Sequence, residues 1–171
     1  MLKSLRYIAK ALVNGDGVAQ DFVLAAEWYE KAAAQGCVES RHRLGEMYYV
    51  GKEGVEQDFA RAVVEFRRAA EEEGEEGGHA PAQSCLAFCY YRGDRVEKDH
   101  VQARARYKKA ALGEDSEAAL EAALMCYKGE GGDPDFEYAE RIFRKAAKNG
   151  DGRVSKPARQ HVSQRARVGA G

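Results

Sequence analysis

Proline is scarce in this chain, with three in 171 residues. Long stretches are instead rich in Ala, Glu, Lys, Arg and Gln, which leans all-helical. No run of 18 apolar residues occurs, which excludes a membrane-spanning helix. Charge of one sign is missing too: 27 Lys and Arg face 28 Asp and Glu, so nothing global points to nucleic acid or an acidic membrane. Cysteine is limited to positions 37, 85, 89 and 126, with no spacing that reads as a disulfide framework. Reduced thiols packed as small hydrophobes are expected, and hence a reducing, cytoplasmic compartment. A zinc site from Cys85, Cys89 and His79 is the sharper alternative, although Cys-x-x-x-Cys without a second pair is not a usual zinc knuckle. Lys3, Arg6 and Lys10, without an acid in the first fifteen residues, suggest either a transit peptide or a structural helix in register with the later helices of the chain; the helix is the reading adopted.

Catalytic patterns are also missing. There is no Gly-x-Ser-x-Gly elbow, no phosphate loop and no His-Glu-x-x-His. Gly129 to Gly132 lacks the Lys-Ser/Thr of a nucleotide loop, and Asp133 and Asp135 lack calcium-loop spacing. The chain is therefore expected not to be an enzyme, with no catalytic residue, cofactor or metal and no small-molecule substrate.

What is present is a repeat. Asp21, Asp58, Asp99 and Asp135 are separated by 37, 41 and 36 residues. Four residues after each stands Ala25, Ala62, Ala103 or Ala139. Eight after stands an aromatic: Tyr29, Phe66, Tyr107 or Phe143. A base follows at ten, then paired alanines, then Gly36, Gly74, Gly113 or Gly150. Offsets of 4, 8 and 11 share one helix face, so each unit contains a helix B that the Asp caps and the Gly stops. A helix A precedes it, marked by an apolar–small pair: Ile8-Ala9, Leu44-Gly45, Leu86-Ala87 and Ala122-Ala123. The pattern predicts A helices near 2–14, 38–50, 80–92 and 116–128, and B helices near 22–35, 59–73, 100–112 and 136–149. Two segments stand apart. Glu71 to Gly78 is an acidic, Gly-rich insertion, read as a solvated loop with a partner-binding tip as the alternative. Residues 151–171 form a tail with five bases against Asp151, partly disordered or a degenerate capping helix.

Gly15-Asp16-Gly17-Val18-Ala19-Gln20-Asp21, Trp28-Tyr29-Glu30-Lys31-Ala32-Ala33 and Gly78-His79-Ala80-Pro81-Ala82-Gln83 resemble the Sel-one-like repeat (SLR) family, relatives of the tetratricopeptide repeats. The resemblance covers residues 1–150, in units of about 1–36, 37–74, 79–113 and 114–150. One departure is Arg95, which stands where the third loop's second Gly belongs. The family implies a right-handed all-α solenoid of about four stacked helix-turn-helix repeats that serves as a protein–protein interaction adaptor or scaffold. In the tetratricopeptide relatives the A helices line the concave side. By that analogy Tyr49, Tyr91 and Tyr127, one place after a core position in three successive A helices, face a groove, with His42, Glu46, Phe88, Arg92, Leu124 and Lys128 nearby. Such a ladder is suited to grip an extended peptide or a partner helix; alternatively the tyrosines seal the packing between repeats. A structural or regulatory segment of a larger assembly, self-associating through its terminal repeat, is the second functional expectation.

Overall fold

The computed structural model describes the backbone of residues 2–71 and 79–149, with side chains from Ser4 onward. These residues form eight helices of 13 residues: α1 (Leu2–Asn14), α2 (Phe22–Ala34), α3 (Val38–Val50), α4 (Phe59–Glu71), α5 (Ala80–Arg92), α6 (His100–Leu112), α7 (Ser116–Lys128) and α8 (Phe136–Lys148). The odd-numbered helices are the A helices and the even-numbered ones the B helices, and each packs mainly on its neighbours in chain order. The fold is an all-α repeat solenoid. The A helices fall on the expected bounds; α2 and α8 stop one residue early. The insertion beyond Glu71 and the tail 151–171 lie outside the described residues.

The repeated Asp caps each B helix. Asp21, Asp58, Asp99 and Asp135 accept from the backbone N–H groups of Leu24, Arg61, Gln102 and Tyr138 at 2.9–3.0 Å. Losing such a cap costs about 1 kcal/mol. The same residues do a second job that their type does not announce. Their backbone N–H groups donate to the carbonyls of Leu12, Tyr48, Tyr90 and Cys126 at 2.8–3.0 Å, tying the start of each B helix to the end of its A helix.

The core runs along the stack without a break. One cluster joins Ala9, Tyr29, Leu44, Phe66, Leu86 and Cys89 across the first three units. A second joins Ala87, Tyr107, Ala122 and Met125; a third joins Leu120, Cys126 and Phe143. Tyr90 touches the first two clusters and Tyr138 the last two. Gln83, fully buried, adds a polar stitch: its amide donates to Ala70 O at 2.7 Å and accepts from Arg106 at 3.0 Å. No unit could bury its apolar face alone, which is why such units stack.

Left-handed residues turn each A–B loop. Four residues before each capping Asp stand Gly17, Gly54, Arg95 and Gly131, all with φ between 56° and 77°. A Cβ on Gly54 would sit 2.5 Å from Val23 Cγ2, and one on Gly131 would overlap the backbone of His100, so these turns press on the start of the preceding B helix. The residue of α4 equivalent to Val23 and Val101 is Ala60, smaller than either, and Arg95 is exposed. Arg95→Gly is expected to stabilise the protein by about 0.5–1 kcal/mol. It relieves about 1–2 kcal/mol of left-handed strain, partly offset by the entropy a Gly adds to the unfolded chain. Chemical denaturation reads this directly, and no rise in the midpoint would show that Arg95 carries no strain. Gly113 departs from the expected left-handed stop: its φ is −84°, and Glu114 takes the positive φ instead. Gly113 is needed for space, because a Cβ there would meet Ala80 Cβ at 2.5 Å.

Candidate partner-binding groove

Three successive A helices and the two B helices between them line a groove of about 410 Å³. Glu46, Tyr49 and Val50 come from α3, Ser84, Cys85, Phe88 and Tyr91 from α5, and Glu117 and Glu121 from α7; Phe66 and Tyr107 of the B helices close it. Helical periodicity explains the lining, since residues 46, 49 and 50, or 84, 88 and 91, share one face. Aromatic rings and three carboxylates dominate it, and no Lys or Arg is among the lining residues.

The rings are held in place. Tyr49 packs edge-on to Phe59 at 5.1 Å and to Phe88 at 6.2 Å, and its hydroxyl donates to Asp94 at 2.7 Å. Burial and the Asp94 carboxylate raise the pKa of that hydroxyl. Tyr91 stacks on His100, with centroids 5.0 Å apart and planes 13° from parallel. Tyr127 packs on Phe136 at 5.8 Å. Each of these tyrosines therefore leans on the first residue of its own unit's B helix, an aromatic position next to the capping Asp that sequence reasoning did not single out. Phe88 is 39% exposed, and the Arg92 guanidinium stands 5.5 Å over its ring. Burial, then the neighbouring Glu121, raises the pKa of Tyr107, which stays a neutral phenol.

Of the nine residues expected at a groove, the structure gathers Glu46, Tyr49, Phe88 and Tyr91. Arg92 sits beside it, paired with Asp94 at 3.2 Å. Tyr127 and Leu124 belong to the fourth unit's packing, and Lys128 pairs with Glu130 at 3.8 Å, outside the groove lining. His42 is 3% exposed and does not line the groove. Its ring lies under the next unit, 5.0 Å from that of His79, which caps α5. Val50, Phe66, Ser84, Cys85, Tyr107, Glu117 and Glu121 were missed. The two aromatics of the B helices also belong to the core, and no sequence pattern marks the acids.

The four cysteines are free thiols. Burial pushes Cys85 and Cys89 up to about 12, so both are protonated at neutral pH. Cys85 lies 3.6 Å from His42 Nε2, while Cys89 is buried in the core. The expected trio of Cys85, Cys89 and His79 is not the cluster that forms. Instead Glu39, His42 and His79 bring one donor atom each within 4.8 Å of one another. His79 Nε2 is 3.0 Å from Glu39 Oε2, and this contact, ahead of Arg43, holds the Glu39 carboxyl down at about 2.

Four helix pairs, stacked so that three successive A helices line a common groove, define a tetratricopeptide-like solenoid. The Sel1 repeat matches residues 3–37, 38–73, 80–115 and 116–151, and the chain belongs to the Sel1 repeat family. It is 30% identical over 160 residues to an uncharacterised protein of Neisseria meningitidis, covering 78% of this chain and 34% of that protein. It is 34% identical to an exopolysaccharide production negative regulator of Rhizobium meliloti, covering 74% of this chain and 50% of the regulator. A crystal structure of a protective antigen present in uropathogenic Escherichia coli strains, displaying an SLR fold, superposes with a TM-score of 0.82 at 31% identity, over 95% of this chain and 33% of the antigen. The chain thus spans between a third and a half of these relatives. No helix among the described residues is long and apolar enough to cross a membrane.

Proposed function

We propose that this chain is a non-catalytic interaction adaptor whose A-helix groove takes a Lys- or Arg-bearing segment of a partner protein, helical or extended. The observation that carries this reading is the lining: Tyr49, Phe88 and Tyr91 beside Glu46, Glu117 and Glu121, with no base among them. Aromatic faces take the aliphatic stem and charge of Lys or Arg, and carboxylates at the edge set orientation. Arg92 over Phe88 is an internal example of the contact a partner side chain would make. Free thiols suit a reducing compartment, and we place the adaptor in the cytoplasm.

The test is fluorescence anisotropy with paired peptides of equal length, one basic and one with its charges reversed. Wild type is expected to prefer the basic peptide. Glu117→Gln with Glu121→Gln is expected to weaken that binding about tenfold and to flatten its salt dependence. Equal binding of both peptides, or an unaffected variant, would refute the groove as a basic-segment site.

Self-association through the first repeat is supported by Tyr7 and Ile8 on α1, 60% and 41% exposed. Light scattering that finds only monomer at high concentration excludes it.

A further inference from the structure

Behind the groove lining, one cluster of chemically capable side chains has no role in the adaptor reading. Glu39 and His42, three residues apart on α3, project from one helix face toward His79 at the N-terminus of α5. We propose that Glu39, His42 and His79 form a binding site for a zinc-class divalent cation that clasps the A helices of the second and third units.

The geometry is close to what such an ion needs. Ligand atoms on a tetrahedron with bonds of about 2.0–2.1 Å lie about 3.4 Å apart. Glu39 Oε2 and His79 Nε2 are 3.0 Å apart already, and the donor of His42 is within 4.8 Å of both. Small side-chain rotations close the remaining gap. Two imidazoles and one carboxylate are the donors zinc accepts, with the fourth position left to water.

A second, independent observation concerns His42. The side chain is almost wholly buried, yet Nδ1 has no hydrogen-bond partner. An orphaned polar atom at that depth is costly, and a metal bond satisfies it. The other nitrogen, Nε2, faces Cys85 Sγ at 3.6 Å and the Glu46 carboxylate at 3.8 Å. With the ring proton on that side, Nδ1 offers a lone pair to the ion. Glu39 is steadied the same way, because Oε1 receives Arg43 Nε at 2.8 Å while Oε2 remains on the His79 side. Metal on His79 Nε2 moves that ring's proton to Nδ1. The 3.3 Å contact now donated by Ala82 N–H to Nδ1 is given up in exchange.

The experiment is zinc titration calorimetry on the full chain after chelation, with thermal denaturation alongside. Wild type is expected to take up one equivalent and to melt at a higher temperature with zinc. Three variants separate the site from adventitious uptake. His79→Asn keeps a side-chain oxygen for the helix cap but removes the imidazole. Glu39→Gln removes the carboxylate from a half-buried position and keeps the side chain's shape. Each is expected to lose more than about 100-fold in zinc affinity, beyond the loss typical of an outer-shell change. His100→Gln, elsewhere in the fold, is expected to bind as wild type does. No stoichiometric uptake by wild type, or His79→Asn and Glu39→Gln binding as tightly as wild type, would overturn the proposal.

Discussion

Gly131→Ala is expected to destabilise the protein by about 2–5 kcal/mol, the sum of a left-handed penalty of about 1–2 and an overpacking penalty of about 1–3 kcal/mol. Gly131 has φ +77°, and a Cβ there would overlap the His100 carbonyl oxygen, with its carbon at 2.6 Å and Val101 N at 3.1 Å. All three are backbone atoms at the start of α6, so no side-chain rotation relieves the clash. Gly17 is the internal control. It holds the same place in the first loop with φ +74°, but nothing lies within 4 Å of its Cβ position. Gly17→Ala is therefore expected to lose only the conformational part, about 1–2 kcal/mol. In a stack stabilised by nearest-neighbour contacts, the Gly131 lesion should also uncouple α7 and α8 from the rest. Denaturation followed by far-UV circular dichroism is expected to show an early step for Gly131→Ala alone. Equal losses at the two glycines would mean that the turn does not bear on the preceding unit as described.

Phe66→Ala is expected to cost about 3–5 kcal/mol, the usual range for emptying a buried aromatic site. Phe66 is 2% exposed and lies against Gly45 of α3, where an added Cβ would stand 2.7 Å from two of its ring atoms and 3.3 Å from Ala62 O. Gly45→Ala accordingly reverses the usual sign. A Gly-to-Ala change inside a helix gains about 1 kcal/mol of propensity, but here overpacking of about 1–3 kcal/mol outweighs it. The two positions should be coupled: in a Phe66→Leu background the same Gly45→Ala change is expected to become neutral or stabilising, a coupling of about 1 kcal/mol or more. A double-mutant cycle by urea denaturation measures it, and strict additivity would show that the small residue of the A-helix pair is not there to admit the ring.

The fold was legible because its signals are local and repeated. Asp21, Asp58, Asp99 and Asp135 announce a helix start through their own side chains, and the paired alanines mark the face that a neighbour approaches. Gly113 misled because a glycine that frees space looks, in sequence, like one that frees φ. The site was legible in part. Tyr49 and Tyr91 follow from the shared register of α3 and α5, but Tyr107 and Glu121 reach the groove from α6 and α7, and no local pattern carries that contact. His42 has the right register for the groove and is nonetheless buried, because His79, 37 residues later, covers it. The orphaned Nδ1 that results is visible only in three dimensions.

The central claim is that partners enter the groove of α3, α5 and α7. It is tested most directly by affinity capture from native lysate, comparing wild type with Phe88→Ser/Tyr91→Ser and with Tyr127→Ser, all confirmed folded. Tyr91 and Phe88 line the groove, whereas Tyr127 sits in the fourth unit's packing. The account predicts a small set of proteins retained by wild type and by Tyr127→Ser at moderate salt, and lost by Phe88→Ser/Tyr91→Ser. The same proteins retained by all three would contradict it and move the binding surface elsewhere on the chain.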